Sequence, residues 1–198
     1  MKLNVLVYMI LLFAFIVFAQ YTRAENIHFN NDIYTLKNIN FSEINKGYEN
    51  EYYVDNNKEN NSEKMIGIYY YPEIKNPIKF AENADKEIET RAGVILLKFI
   101  ANKKQNKAIL SFIDAGEDNG KPFIEHNIYK YEPHPKKGMM LLRYTKKYYT
   151  NNNEDITNAG TEIKNLNDDL IEQIIISPIP PIIEKITRLF NKNITSKV

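Results

Sequence analysis

Apolar positions along this chain recur at two periods, and the places where one period gives way to the other predict the elements. From Ile27 to Val54 apolar and polar residues alternate loosely in IHFNNDIYTL, NINFSEI and YENEYYV, the period of short strands with one wet face. Residues 55–64, DNNKENNSEK, hold no apolar side chain and read as a mobile surface loop. Met65 to Tyr71 is rich in aromatic and branched residues and stops at Pro72, which has no N–H to extend a ladder, so a strand is predicted. Alternation sends Met65, Gly67, Tyr69 and Tyr71 to one face and Ile66, Ile68 and Tyr70 to the other. The three consecutive tyrosines therefore cannot form one platform, and Tyr70 is expected to join the two isoleucines in the core.

The period then lengthens. Asn76 followed by Pro77 has the form of an N-cap with proline in the first helical position. Phe80, Ala84 and Ile88, with Ile78 and Ala81 beside them, form one apolar stripe of a helix running to about Arg91 and closed by Gly93. VILLKFI, residues 94–100, is almost wholly apolar and reads as a central strand, returned by AILSFI at 108–113. DAGEDNGKP at 114–122 reads as a turn-rich loop. FIEHNIYKY at 123–131 and MMLLRYTKKYY at 139–149 form a second hairpin across EPHPKKG. Ile156, Ala159, Ile163, Leu166, Leu170 and Ile174 fall three and four apart and predict a long helix over 154–176, broken by Ser177 and Pro178. A short amphipathic helix carrying Ile182, Ile183, Ile186, Leu189 and Phe190 is expected after the prolines, and then a flexible tail over 191–198. An antiparallel sheet and two amphipathic helices must cover each other's apolar surfaces, so the fold class is α+β: one domain over 25–190, a two-layer or α/β/α sandwich.

The N-terminus changes the picture from fold to destination. Lys2 precedes an unbroken apolar run from Val5 to Ala19, and Thr22 and Ala24 supply small residues for a signal peptidase, the layout of a secretory signal cleaved after Ala24. The run is shorter than the twenty or so apolar residues a spanning helix needs, so removal is expected over a retained anchor. The 198 residues include no cysteine, which excludes thiol catalysis, thiolate metal sites, disulfides and a lipid-modified cysteine. Loss of residues 1–24 removes Lys2 and Arg23 and turns a formal charge of +1 into about −1. No field of one sign is left to attract nucleic acid or an anionic membrane, and the expected destination is the periplasm or the exterior.

Candidate chemistry is sparse. His28, His126 and His134 show no i, i+4 pair and no metal-binding tract, and exposed, unpaired histidines are the expectation. Asp114, Glu117 and Asp118 crowd one turn, but their spacing fails the calcium-loop pattern. The mature serines, Ser42, Ser62, Ser111, Ser177 and Ser196, occupy no glycine-flanked elbow, and no glycine-rich phosphate cradle is present. RYTKKYY at 143–149 interleaves basic and aromatic residues as a nucleic-acid surface does, but it reads instead as an edge strand guarded by lysines. No catalytic residue, metal or cofactor is therefore assigned. The alternative is a small envelope hydrolase pairing His126 with Glu125 or Glu132.

What remains is recognition by surface. The chain has 14 tyrosines and no tryptophan, and tyrosine offers large contact area at little rotamer cost. Tyr69, Tyr71, Tyr129, Tyr131, Arg143 and Tyr144 are the candidate binding residues, for an envelope partner protein or a small ligand. In element order the segment from Met65 to Ile176 resembles the PsbP/Mog1-like sandwich. The strand-to-helix junction of Tyr69 to Pro72, Asn76, Pro77, Phe80 and Ala81 resembles that of an uncharacterised group of small exported bacterial proteins. These resemblances imply a small accessory or binding protein and supply no catalytic residues.

Overall fold

The structure, a computed structural model, describes residues 25–43, 46–54 and 62–183. The predicted signal, most of the 55–64 loop and the tail lie outside the described residues. So does all but the start of the expected helix at 182–190, and no helix forms over 177–183. Among the described residues the strands are β1 (Asn26–Phe29), β2 (Asp32–Ser42), β3 (Gly47–Val54), β4 (Ser62–Tyr71), β5 (Val94–Asn102), β6 (Lys107–Asp118), β7 (Lys121–Pro133) and β8 (Met139–Tyr149). The helices are α1 (Pro77–Thr90) and α2 (Asn153–Ile176). The strands make one antiparallel sheet in the order β1-β2-β3-β4-β8-β7-β6-β5. It consists of two meanders, β1 to β4 and β5 to β8, joined side by side where β4 pairs with β8. The α+β class holds, as three layers.

Local chemistry sets most boundaries. Asn76 caps α1, its side chain accepting from the Lys79 N–H at 3.1 Å with Pro77 behind it, and Asn152 caps α2 in the same way through Asp155. Glu154 and Asp155 sit in the first turn of α2, where the helix dipole favours negative charge. Asn30 and Asn31, at φ 47° and 65°, make a two-residue turn that splits IHFNNDIYTL into β1 and β2. DIYTL and NINFS then run on as one strand, with a register shift between Leu36 and Asn38.

Three expectations need correction. Residues 114–122 are not a loop: β6 and β7 pair out to Asp118 and Lys121, and only Asn119 and Gly120, both at positive φ, turn the chain. The apolar VILLKFI segment is the outer edge strand β5, not a central one, and leaves Ile95 61 % exposed. Its apolarity is explained by α1, which packs on β5, so that Leu96 and Phe99 face the helix and Ile100 faces the other core. RYTKKYY belongs to β8, in the middle of the sheet, so its charges are no edge guard. Lys146 instead reaches Glu162 of α2 at 2.6 Å, and Arg143 reaches Glu125 of β7 at 3.1 Å.

Each face has its own core. Tyr69, Leu110, Phe112, Tyr131, Met139 and Leu141 pack with Ala81 and Ile88 beneath α1. Ile66, Ile68, Ile109, Ile128, Met140 and Leu142 pack with Leu170, Ile171 and Ile174 of α2 on the opposite side. Tyr70 joins this second core, as alternation requires. Beyond α2 the chain crosses the same face as an extended, proline-rich strap over residues 177–183. Lys130, 4 % exposed, holds its start by donating to the Ser177 and Ile175 carbonyls at 2.6 and 3.3 Å, a cation at a helix C-terminus. Burial lowers the Lys130 pKa, and Glu132 at 3.4 Å opposes that shift. Asn50, fully buried, holds the far end: its amide donates to the Ile183 carbonyl at 2.9 Å and accepts from the Ile183 N–H.

Asn50 and Tyr52 sit two apart on β3, both fully buried, but the Tyr52 hydroxyl has no hydrogen-bond partner among the described residues. They should respond oppositely to deletion of the polar group. Asn50→Ala strips two buried backbone groups of their partner and is expected to cost about 1–3 kcal/mol in urea unfolding. Tyr52→Phe removes an unmet donor and should leave stability within about 0.5 kcal/mol of the parent, or raise it.

Candidate functional site

α1 covers the β5 to β7 side of its face and leaves the side over β2, β3, β4 and part of β8 without a helix. On this open half the period-two register brings together side chains from three adjacent strands. Glu125, Asn127 and Tyr129 of β7 lie across from Lys147, Thr145 and Arg143 of β8, and Arg143 lies across from Gly67 of β4. Four of these side chains close a ring of hydrogen bonds. Arg143 Nε donates to Thr145 Oγ1 at 2.9 Å, and Thr145 donates to Asn127 Oδ1 at 3.0 Å. Asn127 Nδ2 and Arg143 Nη2 both donate to Glu125 Oε1, at 2.9 and 3.1 Å. A closed polar ring on two central strands fixes each member's rotamer, so the guanidinium is held in place before anything binds.

Tyrosines frame that guanidinium. Its carbon lies 5.6 Å from the centre of the Tyr129 ring, within cation–π range. Burial works against the charge on Arg143, but the Glu125 carboxylate and a hydrogen bond with Tyr69 favour it, and the guanidinium stays protonated. The Tyr69 and Tyr71 rings lie nearly parallel, 6.5 Å apart at 6°, and Tyr71 continues to Phe80 of α1 at 5.9 Å. Burial pushes the Tyr71 phenol up to about 12 and Glu49 adds to the shift, so the hydroxyls here act as neutral hydrogen-bonding groups. Gly67 makes the arrangement possible: a Cβ there would stand 2.5–2.8 Å from the Tyr69 ring, which folds over the glycine toward Arg143.

Of the six predicted binding residues, Tyr69, Tyr71, Tyr129, Tyr131 and Arg143 share this face. Tyr131 lies beneath α1 at 1 % exposure, a floor residue under Phe80. Tyr144 points to the opposite face, where it packs against Phe29 and His126. Glu125, Asn127 and Thr145 were missed in the sequence. Their signal is present there, since Asn127 and Thr145 stand two residues from Tyr129 and Arg143, and Glu125 four from Tyr129, so that each shares a chosen residue's face.

The other candidate groups are dispersed. His126 is 2 % exposed and not free: Asn167 Oδ1 lies 3.0 Å from its Nε2 and also accepts from Ser111 Oγ at 2.6 Å. Burial lowers the His126 pKa, which favours the neutral ring in this helix-to-sheet contact. Glu125 projects to the far side of the sheet from His126, and Glu132 is engaged by Lys107 and Lys130, so neither carboxylate pairs with it. His134 packs on Tyr70 in the β7–β8 turn, and His28 is exposed on β1. Asp114 binds Arg91 at 2.7 Å and Asp118 meets Lys147, so the acidic turn is neutralised from within the fold. Among the described residues no group of three or more histidine or acidic side chains is placed to hold a metal ion.

The chain belongs to an uncharacterised protein family, which it matches over residues 22–179. No curated protein and no solved structure matches it.

The contact between Gly67 and Tyr69 can be tested by a mutant cycle. Gly67→Ala should destabilise the protein by about 1–3 kcal/mol through overpacking. In a Tyr69→Leu background the same change should cost less than half as much, because the ring it collides with is gone.

Proposed function

We propose that the protein is an exported, non-catalytic binding protein of the cell envelope that engages a partner protein through the open half of the α1 face. The observation that carries this reading is Arg143, locked by the Glu125, Asn127 and Thr145 ring and flanked by Tyr69 and Tyr129. Tyrosine and arginine are the side chains that dominate binding energy at protein interfaces, and a side chain already fixed loses little entropy on docking. Glu49 and Glu51 of β3 lie beside Gly67 and Tyr69 and give the aromatic centre a charged rim, the usual anatomy of a protein–protein contact.

Export is supported by Lys2, the apolar run from Val5 to Ala19 and the small residue Ala24. The family match begins at residue 22, next to the expected cleavage position. The resemblance in element order between the segment from Met65 to Ile176 and the PsbP/Mog1-like sandwich is an analogy of fold that accords with an accessory role.

A photocrosslinking residue placed at Tyr71 or Tyr129 in the producing cells tests the surface. One discrete adduct is expected in the envelope fraction from either position and none from Glu87, which is exposed on α1. Arg143→Ala should reduce the adduct roughly tenfold or more. Equal labelling from Glu87, or an adduct indifferent to Arg143→Ala, contradicts the proposal. A mature mass that retains residues 1–24 contradicts the cleavage.

A further inference from the structure

The opposite face of the sheet contains a cavity of about 260 Å³. Its walls come from Ile27 and Phe29 of β1, Ile66 of β4, Leu142 and Tyr144 of β8, and Ile174 in the last turn of α2. The strap closes it from the side with Ser177, Pro178 and Pro180, and the exposed Asn26 and His28 complete the lining. Apart from His28, no ionisable side chain other than the Tyr144 phenol lines it, and burial raises that phenol's pKa, so it stays neutral.

This space is held open by construction. The strap is pinned at Ser177 by Lys130 and at Ile183 by Asn50, and Pro178, Pro180 and Pro181 stiffen the span between the pins. Proline-rich backbone is extended and loses little further freedom, so it does not sag into the gap. The Tyr144 ring is likewise fixed, tilted on Phe29 at 5.6 Å and meeting His126 edge-on at 6.4 Å. An apolar cavity of about 150 Å³ is enough to take up benzene from water. One of about 260 Å³ has room for a two-ring aromatic body or a short alkyl chain.

We propose that this cavity is a second binding site, separate from the Arg143 face, for a compact, uncharged, mainly apolar ligand. The ligand would supply the contacts that the apolar walls lack. Tyr144, chosen in the sequence with the tyrosines of the other face, belongs to this site.

Indole is a suitable probe, because it has the stated shape and polarity and the protein contains no tryptophan to obscure its fluorescence. In the protein as isolated from cells, titration with indole should give saturable shifts confined to the Ile27, Ile66 and Ile174 methyl resonances, with a Kd of about 1 mM or tighter. Leu142→Phe, which fills the space, should weaken binding at least tenfold, and Tyr129→Ala on the other face should leave it unchanged. Absence of saturation up to the solubility of indole overturns the proposal. So do shifts centred on Ile78, Ile88 or Ile156, which are remote from the cavity. If Leu142→Phe does not fold, the methyl map of the unaltered protein decides the question.

Discussion

The ladder between β4 and β8 is the contact on which the rest of the molecule depends. Its register runs through ten pairs, from Ser62 opposite Tyr148 to Tyr71 opposite Met139. Every other strand pairing joins neighbours in sequence through a short connection, whereas this one joins segments separated by α1 and three strands. Without it the chain would be two four-stranded meanders, each with an edge of unpaired N–H and C=O groups along an apolar strand. With it those edges become the middle of the sheet, and both helices gain a continuous surface to cover. Since the chain has no cysteine, this ladder and the two cores it aligns carry the stability alone.

The same junction creates both recognition surfaces. On one side Gly67 of β4 faces Arg143 of β8, leaving space for the Tyr69 ring to fold toward a guanidinium fixed by β7. On the other side Ile66 and Tyr144, the next pair in the ladder, form part of the cavity wall. A shift of one residue in register would exchange the two faces, placing Arg143 against α2 and Tyr144 in the open. Register is protected against that slip because each face is specific. The Lys146 contact with Glu162 forms only when the even-numbered residues of β8 face α2, and the Asn167 bonds to Ser111 and His126 fix the facing of β6 and β7 in the same way.

Much of this was legible in the sequence, for identifiable reasons. Period two through residues 65–71 gave the correct face for every residue there, whereas Tyr144, grouped with its neighbour Arg143, lies on the opposite face; the Asn76-Pro77 and Ser177-Pro178 signals set helix ends to within a residue or two. Strand order was not legible, because periodicity reports which side of a strand is dry and not which strand lies beside it. The apolar VILLKFI therefore looked central and the lysine-bearing RYTKKYY looked like an edge, while the sheet has them the other way round. His126 was unreadable for a related reason: its partner Asn167 is 41 residues away on a helix, and no local spacing records that meeting.

Native-state hydrogen exchange tests the β4–β8 ladder most directly. If the two meanders form one cooperative unit, the amides of Ile66, Ile68, Leu142 and Tyr144 should exchange last of all, with a common opening free energy equal to that of global unfolding. Exchange of the β4 amides through a cheaper opening, while those of β8 and β7 stay protected, would show that the halves are separable and would contradict the account.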